Sequence, residues 1–173
     1  CSCFNNCISL EMKGVIMILE VKGIKKTFDK TEILHGISFT VQSGKAMGFL
    51  GRNGAGKTTT FRCLMNVFKQ TEGEFLLDGK PFDVNQNHIG YLPEERGMYA
   101  KVSLKDQLAY FAKLKGADNK KAAEEAEYWI DYFGLKEYTN KKLETLSKGN
   151  QQKIQIAQAF INDPAIIILD EPF

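Results

Sequence analysis

The hydrophobic residues of the 173-residue chain predict strands in its first half and helices later. Apolar and polar residues alternate from Met17 to Lys22 and from Ile37 to Val41, as is typical of half-buried strands. Phe75 to Leu77 predicts another strand, and the Asp78–Gly79 pair after it favours a tight hairpin turn. A further short strand is expected from His88 to Leu92.

The hydrophobic period becomes helical from Ser103 onward. Apolar residues then recur three or four positions apart on two faces: Leu104, Leu108, Phe111 and Ala112, then Ala122, Ala126, Trp129, Ile130 and Phe133. Gly134 is placed to end the second helix. Ile154 to Ile161 predicts a buried helix, and Ala165 to Leu169 predicts a strand of the fully buried, parallel type. The pattern therefore indicates an α/β fold with a helical block from about 101 to 150.

Residues Gly51–Thr58 have the sequence Gly-Arg-Asn-Gly-Ala-Gly-Lys-Thr, which is the spacing of a phosphate-binding loop. Its glycines let backbone N–H groups converge on an anion. Lys57 would reach the β- and γ-phosphates of a nucleotide, and Thr58 would offer its hydroxyl to Mg²⁺. The apolar run Ala46–Leu50 before the loop and the helical pattern after it disfavour a simple glycine-rich turn. The predicted phosphate-binding residues are Gly51, Asn53, Gly54, Ala55, Gly56, Lys57, Thr58 and Thr59.

Two carboxylates, Asp170 and Glu171, end the last predicted strand. Ligands of parallel α/β sheets bind beyond the carboxyl ends of the strands. If the strands ending at Leu50 and Leu169 are neighbours, Asp170 and Lys57 face one nucleotide. Asp170 would then hold Mg²⁺ through water, and Glu171 would orient or deprotonate the attacking water. An exposed acidic turn is the alternative, which the phosphate loop upstream makes the weaker interpretation.

Composition limits the classes of partner. The net charge is only +2 and no basic stripe is present, so we expect no nucleic acid. No apolar run approaches the ~20 residues of a membrane-spanning helix. Cys1, Cys3 and Cys7 crowd the start of the chain, but no Cys/His pair comes after them at zinc spacing. Cys63 is interpreted as a small reduced core residue.

Both ends of the chain look unnatural. Residues 1–16 show no periodicity and no link to the rest of the chain, so we expect a non-native leader with the true start at Met17. At the other end, Phe173 comes directly after an apolar strand and two carboxylates. We therefore interpret residues 17–173 as a domain that is incomplete at its C-terminus.

The segment Leu146–Gln152, Leu-Ser-Lys-Gly-Asn-Gln-Gln, opens a helix between the two motifs and resembles the signature of ATP-binding cassette (ABC) ATPases. With the phosphate loop and the acidic strand end, it makes residues 17–173 similar to the ATP-binding domain of an ABC transporter. Ile89–Tyr99 also resembles a bacterial exporter branch that includes sodium-efflux ATPases. The resemblance implies a P-loop NTPase fold with a parallel core sheet, an N-terminal antiparallel β subdomain and an inserted helical subdomain.

The resemblance also implies roles for residues outside the phosphate loop and the acidic strand end. Phe28 would stack on adenine, although a core position for it stays open. Glu94 replaces the family's glutamine, which touches Mg²⁺ and faces the membrane subunit. Ser147 and Gly149 would grip the γ-phosphate of a nucleotide on a second subunit. Lys148, in place of a glycine, either adds charge facing the phosphates or is solvated.

The implied function is ATP hydrolysis by one subunit of a dimer. It would power export through a separate membrane permease, from the cytoplasmic face of the bacterial cell membrane. ATP, Mg²⁺, a second ATP-binding subunit and the permease are the expected partners. Two alternatives stay open: a soluble ABC-type ATPase acting on ribosomes or DNA, and an inactive truncated remnant. The residues do not indicate the cargo.

Overall fold

A computed structural model of the protein describes residues 6–10, 16–94 and 97–171. These residues fall into two compact units, and Ala165–Asp170 returns to unit 1 after unit 2 has run from Gly90 to Pro164. The strands are β1 (Asn6–Leu10), β2 (Ile18–Phe28), β3 (Thr31–Gln42), β4 (Ala46–Gly48), β5 (Glu72–Leu77), β6 (Lys80–Pro81), β7 (Ile89–Leu92) and β8 (Ile166–Asp170). The helices of at least two turns are α1 (Lys57–Leu64), α2 (Leu104–Leu114), α3 (Asn119–Tyr132) and α4 (Lys148–Phe160).

An antiparallel sheet with the order β3-β2-β5-β6 forms the N-terminal β subdomain that the resemblance implies. Alternation along β2 buries Leu19 and Val21, which lie opposite Val41 and Phe39 of β3. The hairpin between β5 and β6 turns at the predicted pair, where Asp78 and Gly79 have φ of 51° and 74°. Two successive positive φ values match the hairpin turn that suits the twist of the paired strands.

The second sheet has β1 in its interior, antiparallel to both β4 and β8. Ile8 lies opposite Met47 on one side and Ile168 on the other, and its side chain is 0% exposed. The expectation that residues 1–16 have no link to the rest of the chain is therefore wrong for β1. β1 thereby pairs backbone N–H and C=O groups with both β4 and β8. The translation start at Met17 stays a prediction, which a native mass spectrum beginning at Cys1 would contradict.

Two further expectations about this sheet need correction. The strands before the phosphate loop and before Asp170 are not neighbours, since β1 separates them, and β8 pairs antiparallel with β1. Because β4 and β8 are both antiparallel to β1, they still run in the same direction. The strand expected to end at Leu50 ends at Gly48 instead, and Leu50, two residues beyond β4, is 75% exposed.

Unit 2 is mostly helical, and the ends of its helices are fixed by local residues. The Ser103 hydroxyl accepts from the Asp106 N–H at 3.1 Å and caps α2. Gly134, with φ of 68°, comes after α3, and its N–H donates to Asp131 at 2.8 Å while Leu135 donates to Ile130 at 2.8 Å. This pair of bonds is the Schellman arrangement, and it ends α3 at the glycine where the sequence predicts the helix to end. The shared core is formed by Leu104, Leu108, Ala112, Ala122, Ala126, Ile130, Leu135, Leu143, Leu146, Ile154, Ala157 and Ile161.

A lysine that the sequence pattern does not single out binds the C-terminal end of α4. The Lys115 ammonium donates to the carbonyls of Gln158, Ala159 and Ile161 at 3.1, 3.2 and 3.4 Å. In return, the Asn162 side-chain amide donates to the Lys115 carbonyl at 2.7 Å. These bonds satisfy helix-end carbonyls that lack partners within α4, and the positive charge lies at the negative end of the helix.

The burial of Lys115 predicts a specific dependence of stability on pH. Burial lowers the pKa of the ammonium from 10.5 to about 8, against the opposing charge of Glu125. Between these values the unfolded chain holds the proton and the native protein does not, so native stability rises with pH. Relative to Lys115→Met, we expect wild type to gain roughly 3 kcal/mol from pH 8 to 10.5, measured by urea unfolding. If the difference in unfolding free energy between wild type and Lys115→Met stayed constant from pH 8 to 10.5, the lowered pKa of Lys115 would be contradicted. Lys113→Met, at an exposed position, is the matched control.

Candidate nucleotide-binding site

The predicted phosphate loop lies between β4 and α1, with residues 51–55 exposed and Gly56 buried. Gly54 and Gly56 have φ of 83° and 85°, which is the left-handed conformation that glycine adopts most easily. Both the N–H and the hydroxyl of Thr60 donate to the Gly56 carbonyl at 2.9 Å, which fixes the start of α1. The loop thus leads directly into a helix N-terminus, where free N–H groups and the helix dipole favour an anion.

The two glycines offer a matched pair of substitutions. A Cβ at Gly56 would lie 2.5 Å from Cδ2 of buried Leu34, whereas a Cβ at Gly54 meets nothing within 4 Å. Both substitutions carry the backbone strain of a positive φ, but only the first adds a clash. We expect Gly56→Ala to lower the unfolding free energy by about 3 kcal/mol and Gly54→Ala by about 1 kcal/mol, measured by urea unfolding. Equal losses would show that Leu34 yields without cost.

Lys57 lies folded over the loop that precedes it. Its ammonium donates to the carbonyls of Gly51 and Arg52 at 2.8 and 3.2 Å. The positive charge is therefore already held at the loop, next to the N–H groups that an anion would meet. A phosphate would exchange these neutral acceptors for charged ones, and charge-assisted hydrogen bonds are the stronger kind.

Thr58 and Asp170 meet although their sequence positions are far apart. The Thr58 hydroxyl donates to Oδ1 of Asp170 at 3.1 Å, and Asp170 is fully buried at the end of β8. The premise of neighbouring strands is wrong, but the two side chains still converge, because α1 carries Thr58 to the end of β8. A hydroxyl and a carboxylate are hard oxygen donors of the kind that suit Mg²⁺, which usually keeps waters and takes phosphate oxygens as its other ligands.

Phe28 occupies the end of β2, and the residue is 42% exposed. It meets Phe68 edge to face, with the ring centres 5.1 Å apart. Exposure on this scale does not fit the alternative of a core position and leaves ring surface for a ligand. Stacking on adenine stays a prediction.

The other predicted residues belong to unit 2. Ser147 is exposed and caps α4, where its hydroxyl accepts from the Asn150 N–H at 3.3 Å. Gly149 is exposed in the first turn of α4, and Glu94 is exposed outside any helix or strand. Glu171 is half-buried with φ of 51°. The structure thus brings Thr58 and Asp170 together within unit 1, and it presents the signature residues at a separate helix N-terminus.

One feature beside the site escaped the sequence interpretation. The Lys26 ammonium lies 4.8 Å from the centre of the Phe28 ring. Residues two apart on a strand share a face, so the positions of Lys26 and Phe28 in the β2 sequence could have predicted this contact.

Comparison with known proteins identifies the family. Residues 34–173 match the family model described as ABC transporter. The chain is 45% identical over 157 residues to the uncharacterized ABC transporter ATP-binding protein YhaQ of Bacillus subtilis, covering 90% of this chain and 53% of that protein. It is 32% identical over 166 residues to the ribose import ATP-binding protein RbsA of Lacticaseibacillus paracasei, covering 90% and 33%.

A solved structure supports the fold. That of cbiO1 from Clostridium perfringens, part of the ABC transporter complex cbiONQ, superposes with a TM-score of 0.67 at 21% identity, covering 84% of this chain and 62% of that one. This likeness confirms the predicted α/β, P-loop NTPase fold. The chain spans about half the length of the curated relatives it matches. Because the family model matches most of the sequence, the chain belongs to the ABC transporter family, among its ATP-binding proteins.

Proposed function

We propose that the protein containing this chain binds and hydrolyses ATP to drive a membrane transporter. The observation that carries the proposal is the meeting of Thr58 and Asp170, 3.1 Å apart, at the helix after the phosphate loop. The loop N–H groups and Lys57 would hold the triphosphate, and Thr58 with Asp170 would hold the metal. When bound, Mg²⁺ neutralises charge on the phosphate oxygens.

Glu171 is proposed as the group that orients or deprotonates the attacking water. It comes directly after Asp170, so the chain leads from the proposed metal-binding residue to the proposed base. Its backbone φ of 51° is rare for residues other than glycine, and such values are over-represented at functional positions. Glu94 is proposed as a further oxygen ligand near the metal, in the place of the family's glutamine.

The exposed N-terminus of α4 supports dimerisation. Ser147 and Gly149 lie at the positive end of a 13-residue helix and face solvent. We propose that they bind the γ-phosphate held by the loop of a second ATP-binding subunit. The γ-phosphate would then be the contact that distinguishes the closed dimer from the open one, and its hydrolysis would release the two subunits.

The membrane partner is proposed as a separate permease, with this protein peripheral on the cytoplasmic face. Within residues 6–10, 16–94 and 97–171, no helix combines the length and the hydrophobicity needed to span a bilayer. Export is the proposed direction because Ile89–Tyr99 resembles the exporter branch. The cargo would be set by the permease.

The proposal is tested with the full-length protein and any multi-span membrane protein that an adjacent gene encodes. We expect the pair to copurify in detergent and to hydrolyse ATP, with turnover abolished when EDTA removes Mg²⁺. Copurification with ribosomes or DNA instead would favour the soluble ABC-type ATPase. Near-zero turnover of the 173-residue chain beside an active full-length protein would identify the chain as an inactive truncated remnant.

A further inference from the structure

A lysine and two aromatic rings form a compact cluster at the end of β2. The Lys26 ammonium lies 4.8 Å from the centre of the Phe28 ring and 5.1 Å from that of Phe68. The two rings meet edge to face at 82°, with their centres 5.1 Å apart. Both distances from the ammonium are within the range of a cation–π interaction.

The ammonium is held in place from outside the rings. It donates to the Lys69 carbonyl at 2.6 Å. Next to this bond, the Thr27 N–H donates to the Thr71 hydroxyl at 3.0 Å, and the Thr71 N–H donates to the Lys25 carbonyl at 2.8 Å. These bonds fasten the end of β2 to the segment after α1, so the charge of Lys26 has a defined position relative to the Phe28 ring.

We infer that Lys26 is a positioning residue for the base of the bound nucleotide. This inference rests on the proposed function and on the predicted stacking of Phe28. An exposed ring beside a two-residue turn would otherwise have to be ordered when the ligand binds, and ordering a side chain in advance removes that cost. The cation also draws electron density from the ring, which strengthens stacking with an electron-rich purine. Lys26 would thus increase the share of the affinity that comes from the base rather than from the phosphates.

The same strand provides a matched control. Lys22 is also on β2, is about half exposed and pairs with Glu20 at 2.5 Å. Among the described residues, the cation–ring contacts involve Lys26 and Lys141 and not Lys22. Lys22→Met therefore removes a lysine from the strand without removing a cation from the rings.

The experiment measures dissociation constants of the full-length protein for ATP and for inorganic tripolyphosphate by titration calorimetry. We expect Lys26→Met to weaken ATP binding about two- to fivefold and to leave tripolyphosphate binding unchanged. Lys26→Met should have no further effect in a Phe28→Ala background, and Lys22→Met should behave as wild type. Lys26→Arg should retain the wild-type affinity, because guanidinium also binds ring faces.

Several outcomes would overturn the inference. If Lys26→Met weakened the binding of ATP and of tripolyphosphate equally, Lys26 would act on the phosphates and not on the base. Unchanged ATP affinity in a folded Lys26→Met protein would reduce the cluster to a structural role. If that variant does not fold, Lys26→Gln replaces the cationic donor by a neutral amide donor, and the same two measurements decide. Unchanged ATP affinity in Phe28→Ala would sink this inference alone, whereas failure of wild type to bind either ligand would sink the proposed function.

Discussion

Lys57→Ala is expected to raise the dissociation constant for ATP about 100-fold and to abolish hydrolysis. The ammonium is held at the phosphate loop by the carbonyls of Gly51 and Arg52, at 2.8 and 3.2 Å, so its charge is in place before the ligand arrives. Hydrogen bonds to charged groups contribute up to about 3 kcal/mol each, which corresponds to the expected loss. Because Lys57 begins α1 with its side chain over the loop, shortening it removes the charge without removing a core contact.

The dissociation constant is measured by titrating the full-length variant with ATP. A second titration with a fluorescent ATP analogue extends the range of dissociation constants that can be measured. Lys80→Ala, at an exposed position of β6, is the control for loss of one positive charge elsewhere in unit 1. A circular dichroism melt establishes that both variants fold. Unchanged ATP affinity in a folded Lys57→Ala protein would remove the phosphate loop from the binding site and, with it, the proposed function.

Glu171→Gln is expected to leave ATP binding intact while lowering turnover about 10²- to 10⁴-fold. An amide can still orient water by hydrogen bonding, but it cannot take up a proton at neutral pH. ATP would then persist between the subunits, and the closed dimer should accumulate. Single-turnover hydrolysis measures the first effect, and light scattering after size exclusion with ATP measures the second.

Two variants sharpen this test. Glu144→Gln changes an exposed glutamate of unit 2 and should behave as wild type. Asp170→Asn removes the carboxylate that accepts from Thr58. It should raise the Mg²⁺ concentration needed for half-maximal turnover and lower the turnover itself. Wild-type turnover in Glu171→Gln would show that Glu171 is not catalytic, without contradicting the proposed nucleotide-binding site.

The parts of the fold that could be predicted are those whose cause lies in neighbouring residues. The turn at Asp78–Gly79 results from the ease with which these residues take a positive φ. The cap at Ser103 and the helix end at Gly134 result from hydrogen bonds that span only a few positions. The phosphate loop belongs to the same class, since its glycines and Lys57 act within one short segment.

The parts that could not be predicted depend on partners distant in sequence. The position of β1 between β4 and β8 requires knowledge of which strands pair, and a five-residue segment around Ile8 gives no local sign of it. The end of β4 at Gly48, two residues before exposed Leu50, likewise depends on which residues pair with β1. The meeting of Thr58 and Asp170 was expected from motif chemistry, but through an adjacency of strands that does not exist.

The bonds made by Lys115 bear on how α4 moves. The helix has 13 residues and is therefore roughly 20 Å long, with Ser147 at its start and the carbonyls bound by Lys115 at its end. Since these bonds hold that end against fraying, we expect α4 to move as one rigid piece. A displacement of Ser147 should then reach Asn162 and, through its bond to the Lys115 carbonyl, the end of α2.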